Sequence, residues 1–221
     1  MRMRILRVVA MIALPALFGQ VDIARSEVVT EGLLSYWTFD AGDIVGGVAV
    51  DGWGDRDGVI RGDARKAVGQ KNDALSFDGA GDYVEFDDAG LPAGKAPRTM
   101  CAWIKPDGDG VRSVLEWGTK AASQRCAMLV LANQHIKFCG ESADLTSVGT
   151  VPNGEWHYAV ETYDGATVAI YLDGKPDAQG DFTLNTVLNV GRVGAKLRLG
   201  EFFEGVIDEV GIYNRALSAA E

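Results

Sequence analysis

The sequence predicts an all-β fold, a sandwich of two antiparallel sheets, from three observations. Twenty-eight glycines and seven Asp-Gly pairs separate short runs that are rich in Val, Ile, Tyr, Trp, Phe and Thr. No segment after the first 26 residues keeps the 3.6-residue periodicity of an amphipathic helix. Several of the short runs instead alternate apolar and polar residues, which is typical of strands with one buried face.

Eleven runs have this character. In chain order, the predicted strands are residues 33–39, 74–77, 82–86, 99–105, 113–117, 126–131, 135–139, 156–163, 167–172, 187–190 and 205–213. The clearest hairpin joins residues 156–163 to residues 166–172 through Asp164 and Gly165, a pair that tolerates the positive φ of two-residue turns. Alternation within this hairpin predicts two sets of core residues, which are Trp156, Tyr158, Val160 and Thr162 on one strand and Val168, Ile170 and Leu172 on the other.

The first 26 residues have the layout of a secretory signal peptide. Three arginines within residues 1–7 lead into an apolar run at residues 5–18, and a polar stretch follows that ends in Ala24, Arg25 and Ser26. The run is shorter than the roughly 20 apolar residues of a membrane-spanning helix. We expect a secreted, periplasmic or cell-surface protein with no membrane insertion after cleavage; an uncleaved N-terminal anchor is the alternative. Residues 27–221 are expected to form one domain.

The net charge argues against two classes of partner, and the spacing of the cysteines predicts a disulfide. The formal net charge of −10 argues against nucleic acid and anionic membranes, which are bound through clustered lysines and arginines. Cys126 and Cys139 flank a short predicted hairpin and would lie opposite each other if it turned near residues 132–133, within disulfide range. We predict a Cys126–Cys139 disulfide, with Cys101 as a small buried apolar side chain.

Five segments resemble a known family when they are taken in order. They are residues 34–40 (LSYWTFD), residues 74–79 with 82–85 (ALSFDG and DYVE), residues 99–106 (TMCAWIKP), residues 171–174 (YLDG) and residues 203–217 (FEGVIDEVGIYNRAL). They resemble the laminin-G-like jelly-roll family of the concanavalin A-like lectin and glucanase superfamily, to which the pentraxins are related. The resemblance implies paired first and last strands, which would bring Asp40 and Asp208 to one end of the sandwich.

The pentraxin ligand site is not carried over to this chain. Ala159 stands where the resemblance would require the disulfide partner of Cys101, and residues 191–196 are short and basic where pentraxins have an acidic calcium loop. Residues 51–58 (DGWGDRDG) instead resemble the glycine-rich loop of the wider family.

Alternating Asp and Gly in that loop let oxygens converge, as a calcium ion with six to eight oxygen ligands requires. We hypothesise a structural calcium held by Asp51, Asp55 and Asp57, with Asp208 completing the set. Ordinary turn chemistry is the alternative explanation of the same residues, because Asp and Gly also dominate tight turns.

The predicted function is non-catalytic binding of an extracellular glycan or glycoprotein. Sugar sites use exposed aromatic faces, and Trp53 in the polar loop and Trp117 at a strand end are the candidate ligand-binding residues. The alternative is a cell-surface or matrix domain for protein interaction or adhesion. A glycoside hydrolase or polysaccharide lyase is disfavoured, because Asp208 and Glu209 are neighbours and should point to opposite faces of a strand, whereas a glycosidase needs two carboxyl groups about 5 to 9.5 Å apart.

Overall fold

A computed structural model of the chain describes residues 28–221, and the predicted signal peptide at residues 1–26 lies outside this range. The strands of the described part are β1 Leu33–Trp37, β2 Ile44–Val45, β3 Val48–Ala49, β4 Gly58–Arg61, β5 Arg65–Val68, β6 Asp73–Asp78, β7 Tyr83–Phe86, β8 Arg98–Pro106, β9 Arg112–Gly118, β10 Arg125–Val130, β11 His135–Cys139, β12 Asp144–Thr150, β13 His157–Tyr163, β14 Thr167–Leu172, β15 Lys175–Asp181, β16 Val190–Val193 and β17 Glu204–Tyr213. Within residues 28–221 there is no helix of the length and apolarity needed to cross a membrane.

Two antiparallel sheets face each other, as the sequence predicts. Sheet 1 has the order β15-β14-β13-β8-β17-β6-β5, and sheet 2 has the order β12-β11-β10-β9-β16-β7-β4-β3-β2. Strand β17 pairs with β8 along one side. Its other side pairs first with β6 and then with β1, so the first and last strands are neighbours.

The core lies between the two sheets and is built from the inward-facing residues of both. Its largest apolar side chains are fully buried and include Trp37, Trp117, Phe39, Phe77, Phe138 and Phe203. Strand β14 alternates partly exposed and buried residues along its whole length, which is the period of two that a half-buried strand requires. The predicted core positions Val168, Ile170 and Leu172 are confirmed.

The structure confirms ten of the eleven predicted strands with small shifts at their ends. The eleventh, predicted at residues 187–190, forms three residues later as β16. The polar segment at residues 41–71 contains four short strands, β2 to β5, that extend the edges of both sheets. Strands β12 and β15 were not predicted, because residues 144–150 and 175–181 are mostly polar and exposed.

The predicted orientation of β13 is wrong. Ala159, Glu161 and Tyr163 lie opposite the core residues of β14 and are themselves buried. Tyr158 and Val160, which were predicted to face the core, pack on the outer side of sheet 1. Cross-strand partners share a face, so the register with β14 outweighed the greater hydrophobicity of the other side of β13.

The predicted Cys126–Cys139 disulfide is also wrong. The hairpin between β10 and β11 closes at the hydrogen bond from Leu131 N to His135 O (2.8 Å), which leaves three residues in the turn. Gln134, the last of them, has φ 64°, the left-handed residue typical of three-residue hairpin loops. This turn is one residue longer than predicted, so Cys126 faces the core while Cys139 packs with Ala127 on the opposite face of sheet 2.

The outer face of sheet 2 buries an ion pair. Arg125 Nε donates to Glu116 Oε2 (2.6 Å), and the two side chains are 2% and 0% exposed. Arg125 Nη1 also donates to Glu141 Oε1 (2.8 Å). Glu116 Oε1 has no hydrogen-bond partner in the described part of the chain. Burial raises the pKa of Glu116 to about 7, and the charge of Arg125 opposes that rise.

Candidate functional site

A β-bulge in β17 brings two neighbouring carboxylates to the outer side of sheet 1. The pairing with β8 moves from Asp208 opposite Trp103 to Gly211 opposite Cys101, so β17 has one extra residue there. Glu209 occupies the bulge with φ 52°, a left-handed conformation that few non-glycine residues adopt. The expectation that Asp208 and Glu209 point to opposite faces is therefore wrong, because a bulge interrupts the alternation.

The turn between β5 and β6 holds both carboxylates. Lys71 N donates to Asp208 Oδ2 (3.0 Å), and Lys71 Nζ forms an ion pair with Glu209 Oε2 (3.1 Å). The hydroxyl of Tyr36 on β1 donates to the same oxygen of Glu209. Asp40, at the end of β1, accepts a hydrogen bond from the same turn at Asp73 N (2.9 Å). Asp40 and Asp208 thus reach one end of the sandwich, as expected.

Beside Glu209 lies a groove of about 320 Å³ on the outer side of sheet 1. Its aromatic lining comes from four strands and consists of Tyr36, Trp103, Tyr158 and Tyr213. The rings of Trp103 and Tyr158 are 5.2 Å apart, a packing distance for aromatic pairs. Apolar and acidic residues from the two ends of the described chain, including Val28 and Glu221, complete the walls.

The groove continues across β14. A smaller pocket of about 70 Å³ shares Tyr158, Leu217 and Glu221 with it and adds Tyr171 and Thr162 to the lining. The combined surface runs across the strands of sheet 1 from β1 to β14. An elongated cleft with this lining can accommodate an extended small-molecule ligand.

Glu209, which lines the groove, and its chain neighbour Asp208 are held in an environment that disfavours their charged forms. Glu209 is 7% exposed, and burial raises its pKa to about 7. Burial also raises the pKa of Asp208 to about 6, against the hydrogen bonds that it accepts from backbone N–H groups of Lys71, Glu209 and Gln70. Shifted acids beside a lined groove mark this region as the candidate functional site.

Comparison with protein families agrees with this architecture. A laminin G family model, described as the concanavalin A-like lectin/glucanases superfamily, matches residues 78–221. The chain belongs to this superfamily. No curated protein sequence matches it.

Several solved structures share the fold of this chain. Domain 4 of an extracellular arabinanase from Geobacillus stearothermophilus, in complex with arabinotriose, has a TM-score of 0.69 and 21% identity over 85% of this chain and 95% of that one. A Trypanosoma rangeli sialidase has a TM-score of 0.67 and 19% identity over 88% of this chain, which spans 32% of the sialidase. The binding domain of Paraclostridial Mosquitocidal Protein 1 has a TM-score of 0.68 and 12% identity over 86% of this chain and 50% of that one.

In this lectin-like sandwich, Asp51 organises the loop in which it was predicted to bind calcium. Its Oδ1 accepts hydrogen bonds from the N–H groups of Tyr36 (2.9 Å), Trp53 (3.0 Å) and Gly54 (2.9 Å). Its Oδ2 accepts one from Arg56 N (3.2 Å). The side chain is thus an anchor that ties the loop to the edge of β1, in agreement with turn chemistry.

We expect Asp51→Ala to lower the free energy of unfolding by about 1–2 kcal/mol, because backbone N–H groups lose a charged acceptor. Urea denaturation in the presence of a chelator measures this loss without interference from bound metal. Asp55→Ala in the same loop is the control and should change stability by less than about 0.5 kcal/mol, since Asp55 is exposed. Equal losses in the two variants would contradict the anchoring role.

The four residues of the predicted calcium site do not form a cluster. Asp57 accepts a hydrogen bond from Asp51 N (2.9 Å), whereas Asp208 lies on the outer side of sheet 1 under the turn at Lys71. Within residues 28–221, the acidic side chains whose ligand oxygens approach within 4.8 Å of one another as a group of three are Asp63, Asp78 and Asp82. Calcium binding stays a prediction of the sequence.

Of the two predicted sugar-binding tryptophans, one is buried and one is exposed. Trp117 is fully buried in the core, where its Nε1 donates to Pro92 O (3.2 Å), so its predicted role in ligand binding is wrong. Trp53 is 51% exposed, and its Nε1 donates to Leu33 O (2.9 Å). This bond fixes the indole at the edge of β1 and leaves one large aromatic surface in contact with solvent.

The groove residues were missed by sequence reasoning. Alternation within the hairpin predicts Tyr158 in the core, and Tyr36 and Trp103 lie in the segments that resemble the family without any predicted contact to a ligand. One feature of the sequence could have located the groove, namely an aromatic residue in each of three strands that pair through β17. These residues are Tyr36 in β1, Trp103 in β8 and Tyr213 in β17. Their common face depends on the bulge at Glu209, which alternation cannot reveal.

Proposed function

We propose that the chain is a secreted, non-catalytic carbohydrate-binding module whose ligand lies in the groove on the outer side of sheet 1. The observation that carries the proposal is the combination of partly exposed aromatic rings, such as Trp103 and Tyr158, with the buried carboxylate of Glu209 in one cleft. Sugar rings present apolar C–H faces that pack on aromatic rings, and their hydroxyls need a few fixed polar partners.

The size of the groove and the relatives support this proposal. A volume of about 320 Å³ lies within the range of small-molecule sites and is comparable to one or two sugar rings. The arabinanase domain that shares the fold is described in complex with arabinotriose. Two further neighbours are binding domains of bacterial toxins, one of them from botulinum neurotoxin serotype D. Fold alone does not determine function, so the groove carries the assignment.

A binding role without catalysis is supported by how the carboxylates are used. Asp208 Oδ2 accepts a backbone hydrogen bond, and Glu209 Oε2 is occupied by Lys71 and Tyr36. We take these contacts as support for a structural role of both carboxylates over proton transfer. Incubation of the exported protein with polysaccharides, followed by an assay for new reducing ends, tests this part of the proposal, and turnover would contradict it.

We expect Trp103→Ala to weaken binding about tenfold, because removal of an aromatic stacking surface costs about 1–2 kcal/mol. A glycan array with the exported protein identifies the strongest neutral oligosaccharide, and calorimetric titration with that oligosaccharide measures the change. Val148→Ala, at a side chain that is 77% exposed on the edge strand β12, is the control and should retain full affinity.

Two results would contradict the proposed site. If Trp53→Ala removes binding and Trp103→Ala does not, the loop at residues 51–58 is the binding surface. If the folded protein binds no glycan on the array, the protein-interaction or adhesion role predicted as the alternative is favoured instead.

A further inference from the structure

Glu209 has one carboxylate oxygen in use and one without a partner. Tyr36 and Lys71 both bond to Oε2, whereas the buried Oε1 has no hydrogen-bond partner within residues 28–221. An unsatisfied buried acceptor costs about 1–3 kcal/mol, and most buried polar atoms in proteins avoid this cost. The side chain is 8% exposed and lines the groove, so a hydroxyl group of a ligand in the groove is a candidate donor to it.

The basic side chain among the described lining residues is already paired. Lys71 is the basic side chain in the described lining, and its ammonium group is neutralised by Glu209 at 3.1 Å. Glu221 also lines the groove and is paired with Arg215, which donates to it from Nη1 at 3.0 Å. Among the described lining residues, a negatively charged ligand would meet the carboxylates of Glu209 and Glu221 but no unpaired cation. Burial of an unpaired charge is costly, so the groove disfavours acidic sugars.

We infer that Glu209 is a specificity-determining residue which accepts a hydrogen bond from a ligand hydroxyl, and that the groove selects neutral sugars over uronic or sialic acids. The inference rests on the proposed function, because it assigns a ligand class to the same groove. A ligand hydroxyl can donate to Oε1 of ionised Glu209, whereas an ionised ligand carboxylate has no proton to donate and is repelled by that charge. The strained bulge at Glu209 has a role in this scheme, since it directs the side chain toward the groove wall.

The test compares sugars that differ only in charge. Galactose oligomers and galacturonic acid oligomers of equal length share the ring and differ in the oxidation of C6, and the methyl ester of 3′-sialyllactose with 3′-sialyllactose itself forms a second pair. At pH 8.5, where Glu209 with its pKa of about 7 is ionised, we expect the wild-type protein to bind the neutral member of a pair at least tenfold more tightly in calorimetric titration. We expect Glu209→Gln to reduce this neutral-to-acidic ratio about tenfold, because the substitution removes the repulsive charge and frees Lys71.

Selectivity is the decisive readout, since a loss of stability alone would weaken both members of a pair equally. Glu155→Gln, at an exposed position in the turn before β13, is the matched control and should leave the ratio unchanged. If Glu209→Gln does not fold, Lys71→Met supplies a second test, because it removes the same ion pair and should strengthen the preference for neutral sugars.

The outcomes separate this inference from the proposed function. If no member of either pair binds and the array is silent, the proposed function fails. If acidic sugars bind as tightly as neutral ones and Trp103→Ala weakens both, the groove binds sugars but the selectivity inference is overturned. An unchanged ratio in a folded Glu209→Gln variant overturns the role of Glu209.

Discussion

Arg125→Met is expected to lower the free energy of unfolding by about 3–5 kcal/mol. The substitution leaves the carboxylate of Glu116, which is 0% exposed, without its cation. Removal of one partner of a buried ion pair strands an uncompensated charge, and this cost exceeds that of losing any surface pair. Glu141, which is less buried, loses its contact with Arg125 as well. Urea denaturation monitored by tryptophan fluorescence measures the change.

The double variant Arg125→Met with Glu116→Leu isolates the contribution of the ion pair to stability from that of the surrounding packing. Apolar residues of similar volume often replace a buried ion pair at little cost, so we expect the double variant to regain most of the stability that Arg125→Met loses. A double-mutant cycle then gives the coupling energy of the pair. A loss below about 1 kcal/mol in Arg125→Met would show that water or local rearrangement compensates Glu116, contrary to our expectation.

Glu161→Met is expected to raise the free energy of unfolding by about 2–3 kcal/mol at pH 8. Glu161 faces the core from β13, is 1% exposed, and neither of its oxygens has a hydrogen-bond partner in the described part of the chain. Its cross-strand neighbours are Met100 and Ile170, both buried apolar residues. Methionine has a similar length and flexibility, and it removes a polar group that is costly to bury.

The raised pKa of Glu161 determines how the stability difference between Glu161→Met and the wild type changes with pH. Burial raises the pKa of Glu161 well above its ordinary value of about 4.3, so the folded state keeps its carboxyl protonated at pH values where the unfolded state has released the proton. Stability from this group is therefore complete below about pH 4.3 and is lost as the pH rises through the interval up to the folded pKa. The gap between Glu161→Met and the wild type should widen from pH 5 to pH 8.

Two variants control for the effect of charge alone. Glu161→Gln removes the ionisation but keeps an unsatisfied polar group, so we expect a smaller gain than with methionine. Glu155→Gln, at an exposed position in the preceding turn, should leave the pH dependence unchanged. A gain of equal size at pH 5 and pH 8 would contradict the ionisation argument, even if Glu161→Met is stabilising.

The fold could be predicted from sequence because its determinants are local. Asp-Gly turns and alternating apolar residues located ten of the strands, and the order of five motifs supplied the family. What failed was the register between strands. One residue in the turn that ends at Gln134 separated Cys126 from Cys139, and the pairing of β13 with β14 turned Glu161 inward. Register is fixed by turn length and tertiary packing, which hydrophobicity within a single strand does not report.

The candidate site was harder to predict for a related reason. Trp53 and Trp117 were chosen as aromatic residues near loops, and the structure leaves Trp53 exposed and buries Trp117. The groove instead lies across the strands, on the outer face of sheet 1. Alternation predicts which residues reach that face only when the strand is regular. The bulge at Glu209 breaks that regularity. Alternation therefore predicts sandwich cores well and sites at strand irregularities poorly.

The groove joins positions that are far apart in the chain, and this determines when during folding it exists. Tyr36 and Glu209, which touch across its wall, are separated by 173 residues. Long-range closures of this kind are slow steps, because the chain loses entropy before the contact forms. A partly folded chain whose ends have not met has no groove, so ligand capture reports that the whole sandwich has assembled.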